Sequence, residues 1–206
     1  MPTKLVAPLA SFATQTLATV SVDGKRLFRI SRYSSNEPFF GHIAGNRFDD
    51  PKGMFGTCYV GFDLATAVAE TVLHDELPLV GRFGVSQRDF EARRIVRFPI
   101  AGMLVVADFT GAVLKTTVGD SSLTTIFPYD LPQLWAAAVH AHPQKDKNGS
   151  SVDGMLYVSR QLNNRKAIVI FERAKPKLGL PSYELLGKSR SLRGVREILH
   201  IDYTMP

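Results

Sequence analysis

Two short β-rich runs, Lys25 to Arg32 and Thr57 to Gly61, are separated by residues 33–56, a stretch rich in Gly, Pro, Ser, Asn and Asp. That composition predicts a long loop, and a loop of this length inside a compact domain is usually functional. The same region concentrates side chains that carry chemistry. Phe28-Arg29-Ile30 lies on the first run, Gly45-Asn46-Arg47-Phe48-Asp49-Asp50-Pro51 in the loop and Gly56-Thr57-Cys58-Tyr59-Val60 on the second run; Thr66-Ala67-Val68-Ala69-Glu70 follows. Two arginines, a tyrosine and a glutamate between strands and a helix suit a phosphorylated, aromatic-containing cofactor and a cation formed from it.

The remaining pattern alternates short strands with few helices. Asp63 is placed as an N-cap, because its carboxylate can accept the free backbone N–H groups of the next turn. A helix is expected from about Leu64 to His74, with Leu64, Val68 and Val72 on one face at i, i+4, i+8. Strands are expected at Glu91–Arg97, Met103–Asp108, Met155–Ser159 and Ala167–Phe171, and a last one at Glu197–Tyr203. Pro132 to His140 is a second helix, packed through Trp135, Ala136 and Val139, and Lys145 to Ser151 is a polar turn. Many short strands with few helices indicate an α+β fold rather than a doubly wound α/β one.

Composition narrows the function classes. Of 206 residues 45% are apolar and 21% charged, enough for a core and ordinary for a soluble chain. No apolar run reaches the roughly 18 residues of a membrane helix, and the N-terminus lacks the apolar core of a signal peptide. The single cysteine, Cys58, excludes an intramolecular disulfide and a cysteine-based metal site, so a reducing cytoplasm is the expected location. Beside Tyr59 on a strand, it should face the opposite way, as a small core hydrophobe. The net charge of +6 invites nucleic acid as a partner. The basic residues are scattered, however, except in the C-terminal part, and lack interleaved aromatics, so direct nucleic-acid binding is not expected. A solvated basic face, or docking to an acidic partner or an anionic ligand, explains the charge as well.

Phosphate loops of the G-x-x-x-x-G-K-[ST] type, G-x-G-x-x-G, H-E-x-x-H and G-x-S-x-G are all absent from the sequence. His140 and His142, spaced i, i+2, would diverge on a helix, so no metal is expected.

The order Phe-Arg, Gly-x-Arg-Phe-Asp-x-Pro, Tyr, then a helix bearing Glu, resembles the RES domain family over roughly residues 27–172. Gln133-Leu134-Trp135-Ala136 and Asp153-Gly154-Met155-Leu156-Tyr157-Val158-Ser159-Arg160 look like its later landmarks. Phe48 and Asp49 stand where the family usually has Trp and Asn. Some relatives carry a serine just ahead of the second helix, where this chain has Leu131 and Pro132. The resemblance implies one RES-like domain over 1–206, with terminal extensions and an ADP-ribosyltransferase-like mixed β core with flanking helices. It also implies the toxin of a type II toxin–antitoxin pair that consumes NAD by hydrolysis, phosphorolysis or protein ADP-ribosylation. A helix-turn-helix DNA-binding antitoxin would cover its active site.

The residues fit that chemistry. Breaking the nicotinamide–ribose bond passes through an oxocarbenium-like state, as in other glycosidic cleavages, and Glu70 is the carboxylate to stabilise it. Arg47 and Arg29 are expected on the diphosphate, through planar multi-donor forks. Tyr59 offers a face for nicotinamide and a hydroxyl for orientation. Ser159 is expected either to hydrogen-bond the ribose or to position Glu70. Two rivals differ in consequence: a mono-ADP-ribosyltransferase acting on a host metabolic protein, and a non-catalytic basic binding module.

Overall fold

The computed structural model describes residues 4–98 and 102–204. In chain order the elements are β1 (Thr19–Asp23), β2 (Phe28–Ser31), β3 (Thr57–Gly61), α1 (Leu64–Val72), β4 (Phe83–Ser86), α2 (Gln87–Glu91), β5 (Arg94–Arg97) and β6 (Met103–Phe109). They continue with α3 (Gly111–Thr117), α4 (Asp130–His140), β7 (Gly154–Val158), β8 (Lys166–Phe171), β9 (Ser182–Leu185), α5 (Leu192–Ile198) and β10 (Ile201–Thr204). Eight strands form one mixed sheet in the order β1-β6-β7-β8-β3-β2-β5-β9, and β10 pairs in parallel with β4 beside it. Within the large sheet only β6 and β7 run parallel. The fold is α+β, as the strand pattern predicts.

The long loop is possible because β2 and β3 barely pair with each other; their ladder is a single register pair, Phe28 with Gly61. β3 is held by β8 over its whole length and β2 by β5. Residues 33–56 are thus free to arch over the sheet end without unravelling it. On β3 the pleat sends Cys58 and Val60 into the core on one face of the sheet and Tyr59 towards the other, where Phe48, Tyr157 and Phe171 lie. Burial pushes the Cys58 thiol up to about 11, so it is an apolar filler and not a nucleophile.

α1 begins where the sequence places it. Asp63 accepts from the backbone N–H of Thr66 at 2.8 Å, and Arg165 braces the same carboxylate at 2.7 Å. Its buried side is formed by Leu64, Ala65, Ala67, Val68 and Ala69, leaving Glu70 off that face. Trp135, Ala136 and Val139 of α4 are buried as expected.

Three expected strands are partly helical. In the Lys25–Arg32 run, Lys25 and Arg26 belong to a 3-10 turn, Gly24–Arg26, started by Asp23, whose side chain accepts from Lys25 N–H, and only Phe28–Ser31 is extended. Ser86 Oγ caps α2 by accepting from Asp89 N–H, and Phe90 is drawn into the core, so only Arg94–Arg97 of the 91–97 run is extended. At the C-terminus α5 runs to Ile198, and His200, at φ 52°, turns the chain into β10. A positive φ at a non-glycine residue is a turn signal that strand periodicity does not carry.

The Asp153-Gly154 landmark is a splice in the sheet. The buried Asp153 carboxylate accepts from Val105 N–H at 2.7 Å and pairs with Lys177 at 2.7 Å, and its backbone bonds to Val105 and Phe171. Gly154 must be glycine, since a Cβ there would lie 2.1 Å from the Val169 carbonyl oxygen. Gly154→Ala is therefore expected to separate β7 from β8, costing about 2–3 kcal/mol and lowering the melting temperature by roughly 5–10 °C. A thermal melt checks this; an unchanged melting temperature would mean that the strands part without cost.

Candidate active site

A carboxylate organises the loop that the sequence leaves unstructured. Asp49 Oδ1 accepts from the Thr57 hydroxyl at 2.5 Å and the Tyr59 hydroxyl at 3.0 Å, and Oδ2 accepts from Asn46 N–H at 2.8 Å and Asn46 Nδ2 at 3.0 Å. Tyr59 Oη in turn accepts from Phe48 N–H at 2.8 Å. From the other side, Gln133 Nε2 on α4 donates to the carbonyls of Ala44 and Asn46 at 2.9 and 3.0 Å. These bonds pin residues 44–49 against β3 and α4, with Arg47 between them.

The Arg47 side chain is pressed inward, and the residue is only 3% exposed. Its guanidinium lies 5.2 Å from the centre of the Tyr129 ring, a cation–π contact that offsets part of its desolvation. Among the described residues, Nε and Nη2 are buried with no hydrogen-bond partner. A buried cation with orphaned donors is costly in the free protein.

Arg47 lines a cleft of about 320 Å³ together with Arg29, Tyr59, Glu70, His74 and Tyr157. The strand–loop–strand–helix order of the sequence thus brings Arg29, Arg47, Tyr59 and Glu70 to one concavity. Arg29, on β2, is held by Glu37 at 3.0 Å and donates to the Tyr59 carbonyl at 3.2 Å. Its orientation is therefore fixed. Tyr59 keeps its ring at the cleft but not its hydroxyl, which both donates and accepts within the loop anchor. Burial, reinforced by Asp49, holds that phenol well above its ordinary pKa.

Glu70, half-buried on the cleft side of α1, accepts a short hydrogen bond from Ser159 Oγ at 2.5 Å. The serine oxygen accepts from Leu162 N–H at 3.0 Å, which fixes its rotor. Of the two roles expected for Ser159, the geometry gives contact with Glu70. Tyr157 stands between opposite charges. Burial and then Glu70 raise its pKa well above the ordinary value, while Arg47 opposes them. It is a neutral phenol at the cleft wall.

His140 packs flat on Phe55 with ring centres 3.7 Å apart and lies outside the cleft lining; burial, then Arg173, lowers its pKa to about 4. His142 bonds the Phe12 carbonyl at 3.1 Å instead. The described residues hold no cluster of three or more potential metal ligands. Several residues that build the site carry no advance signal. Tyr129 beneath Arg47, Glu37 beside Arg29 and His74 near Tyr129 are brought there by tertiary packing. Asp49 had one, the Gly-x-Arg-Phe-Asp block itself.

A search of curated proteins by sequence finds no match. Among solved structures the chain is similar to one described as the crystal structure of the M. tuberculosis MbcT–MbcA toxin–antitoxin complex, with a TM-score of 0.55 at 13% identity, covering 89% of this chain and 90% of that one. At that identity the likeness concerns the fold. The family model of the RES domain matches residues 26–185. That span contains every residue of the cleft, and the chain belongs to the RES domain family.

Proposed function

We propose that the cleft binds NAD and cleaves its nicotinamide–ribose bond, and that the protein is the toxin of a toxin–antitoxin pair. The observation that carries the reading is Arg47: a buried guanidinium with two unpartnered nitrogens needs an anion, and a diphosphate supplies charge and acceptors together. Arg29, already oriented by Glu37, adds a second cation on the same wall. The Tyr59 ring offers a face for the nicotinamide; its hydroxyl, committed to the loop, takes no part in orienting it.

Glu70 is the catalytic carboxylate in this reading. With Oε1 held by Ser159, Oε2 faces a ribose hydroxyl and the positive charge that grows as the bond breaks. The glycosidic electron pair leaves on the nicotinamide nitrogen, giving neutral nicotinamide. An oxygen of water or phosphate then bonds to the anomeric carbon, and its proton passes to solvent. Ser159 acts through Glu70 and is a positioning residue.

Exposed apolar side chains support a protein partner at this face. Phe39 on the cleft wall is 59% exposed, and Phe127, edge-on to Tyr129, is 73% exposed. An antitoxin of the helix-turn-helix DNA-binding class would cover them and close the cleft.

Incubation with NAD, with and without phosphate, tests the reading through nicotinamide release. Glu70→Gln should reduce release at least 10³-fold, about 4 kcal/mol of transition-state stabilisation, with an unchanged melting temperature. Phosphate-dependent release indicates phosphorolysis, and release without phosphate indicates hydrolysis. Labelling of protein in a lysate indicates ADP-ribosylation, and no NAD consumption under any condition contradicts the proposal. Ser159→Ala should lower kcat about 10-fold with KM within threefold, because it loosens Glu70 without touching the diphosphate site. A loss of thermal stability with full residual activity would show a structural serine instead.

A further inference from the structure

The Glu70 cleft does not end at Arg29. Arg29 and Phe39 also line a neighbouring depression of about 230 Å³, together with Tyr33, Arg32 and Arg93. Arg32 and Arg93 in turn line a wider one of about 550 Å³. The three depressions share walls and form one groove along β2 and α1, with Glu70 at one end and the Arg32–Arg93 pair towards the other.

The pair sits at the end of a ladder. β2 and β5 are antiparallel with Ser31 opposite Arg94; Arg32 and Arg93 lie just beyond this paired end, in bends, and both line the middle and the wider depressions. Like charges brought together on one wall repel each other. Arg93 is half-buried, and its Nε has no hydrogen-bond partner among the described residues. Burial, and then the charge of Arg32, depresses its pKa, with Asp89 opposing them. Asp89 and Glu76 lie on the rim of the wider depression, and neither forms a salt bridge with Arg32 or Arg93 among the described residues. Two neighbouring guanidinium groups, one with an orphaned buried donor, present charge and a free N–H to an anion. Arg32 follows Arg29 by three residues, about 10 Å along an extended chain.

Between the two cationic positions stand aromatic rings. Tyr33 is 72% and Phe39 59% exposed, and both line the middle depression. Exposed rings beside arginines suit a stacked base. A dinucleotide with its diphosphate at Arg47 and Arg29 would lay its adenosine along the middle depression, with Tyr33 and Phe39 as stacking faces and Arg32 and Arg93 beside it.

We propose that the Arg32–Arg93 pair is a subsite for a phosphate monoester on the adenosine ribose, so that the favoured substrate is a 2′-phosphorylated nicotinamide dinucleotide, NADP. The inference rests on the reading of the Glu70 cleft as a dinucleotide site. The anion could come from the dinucleotide or be free inorganic phosphate, and affinity for both is measurable.

Calorimetry with adenosine 2′,5′-bisphosphate and adenosine 5′-monophosphate tests the subsite without turnover. The bisphosphate is expected to bind at least 10-fold more tightly, and Arg32→Gln, a change at an exposed side chain, should remove most of that advantage. Arg93→Gln should do the same if it folds. In parallel, the ratio of kcat/KM for NADP to that for NAD should exceed 10 and fall towards 1 in Arg32→Gln. Equal affinities, or an advantage that survives in Arg32→Gln, overturns the inference. So does Arg32-dependent binding of inorganic phosphate with no gain from the 2′-phosphate. Cleavage of NAD without preference for NADP overturns this inference alone. Cleavage of neither dinucleotide overturns the reading of the Glu70 cleft, and the bisphosphate affinity then decides the subsite by itself.

Discussion

The carboxylate of Asp49 is the joint on which the site depends. Four donors converge on it, from Asn46, Thr57 and Tyr59. Hydrogen bonds to a charged acceptor contribute about 1.5–3 kcal/mol each, enough together to hold a segment that no strand or helix would otherwise order. The bonds do not merely tether the loop. They place Arg47 under cover and commit the Tyr59 hydroxyl to the loop, which leaves the tyrosine ring as a wall of the cleft.

What the fold gains in order it spends in electrostatics at Arg47. Most of the structure obeys consistent local rules: a capped α1, a close-packed sheet and a core on both of its faces. At the cleft those rules are broken in one direction, towards uncompensated positive charge. Departures of this kind concentrate at functional sites. Opposite them, Glu70 is the one acidic group in the cleft anchored by a hydroxyl, through Ser159. In the proposed reading the arginines take the phosphates and Glu70 the ribosyl cation, a division that glycosidic cleavage of a dinucleotide requires.

Much of this was legible in the chain. The Asp63 cap, the apolar face of α1, the opposite orientations of Cys58 and Tyr59 and the buried face of α4 follow from periodicity and local hydrogen bonding. The gathering of Arg29, Arg47, Tyr59 and Glu70 around one cleft follows from their order along the chain, read through the family resemblance. Long-range choices were not legible. The division of the 91–97 run depends on Phe90 finding a core pocket, and the late turn depends on His200 accepting a positive φ. The contact of Tyr129 with Arg47 joins residues far apart in sequence, and nothing local marks either as the other's partner.

The most direct test of the account is the stability of Arg47→Met in the absence and presence of NAD. If Arg47 is a buried cation kept for an anionic ligand, the methionine variant should melt a few degrees higher than the parent when free. That is the effect of replacing an uncompensated charge by an apolar chain, about 1–2 kcal/mol. It should also lose the NAD-induced rise in melting temperature. A variant that melts lower when free and keeps its full response to NAD would show that Arg47 is a structural residue, and would contradict the account.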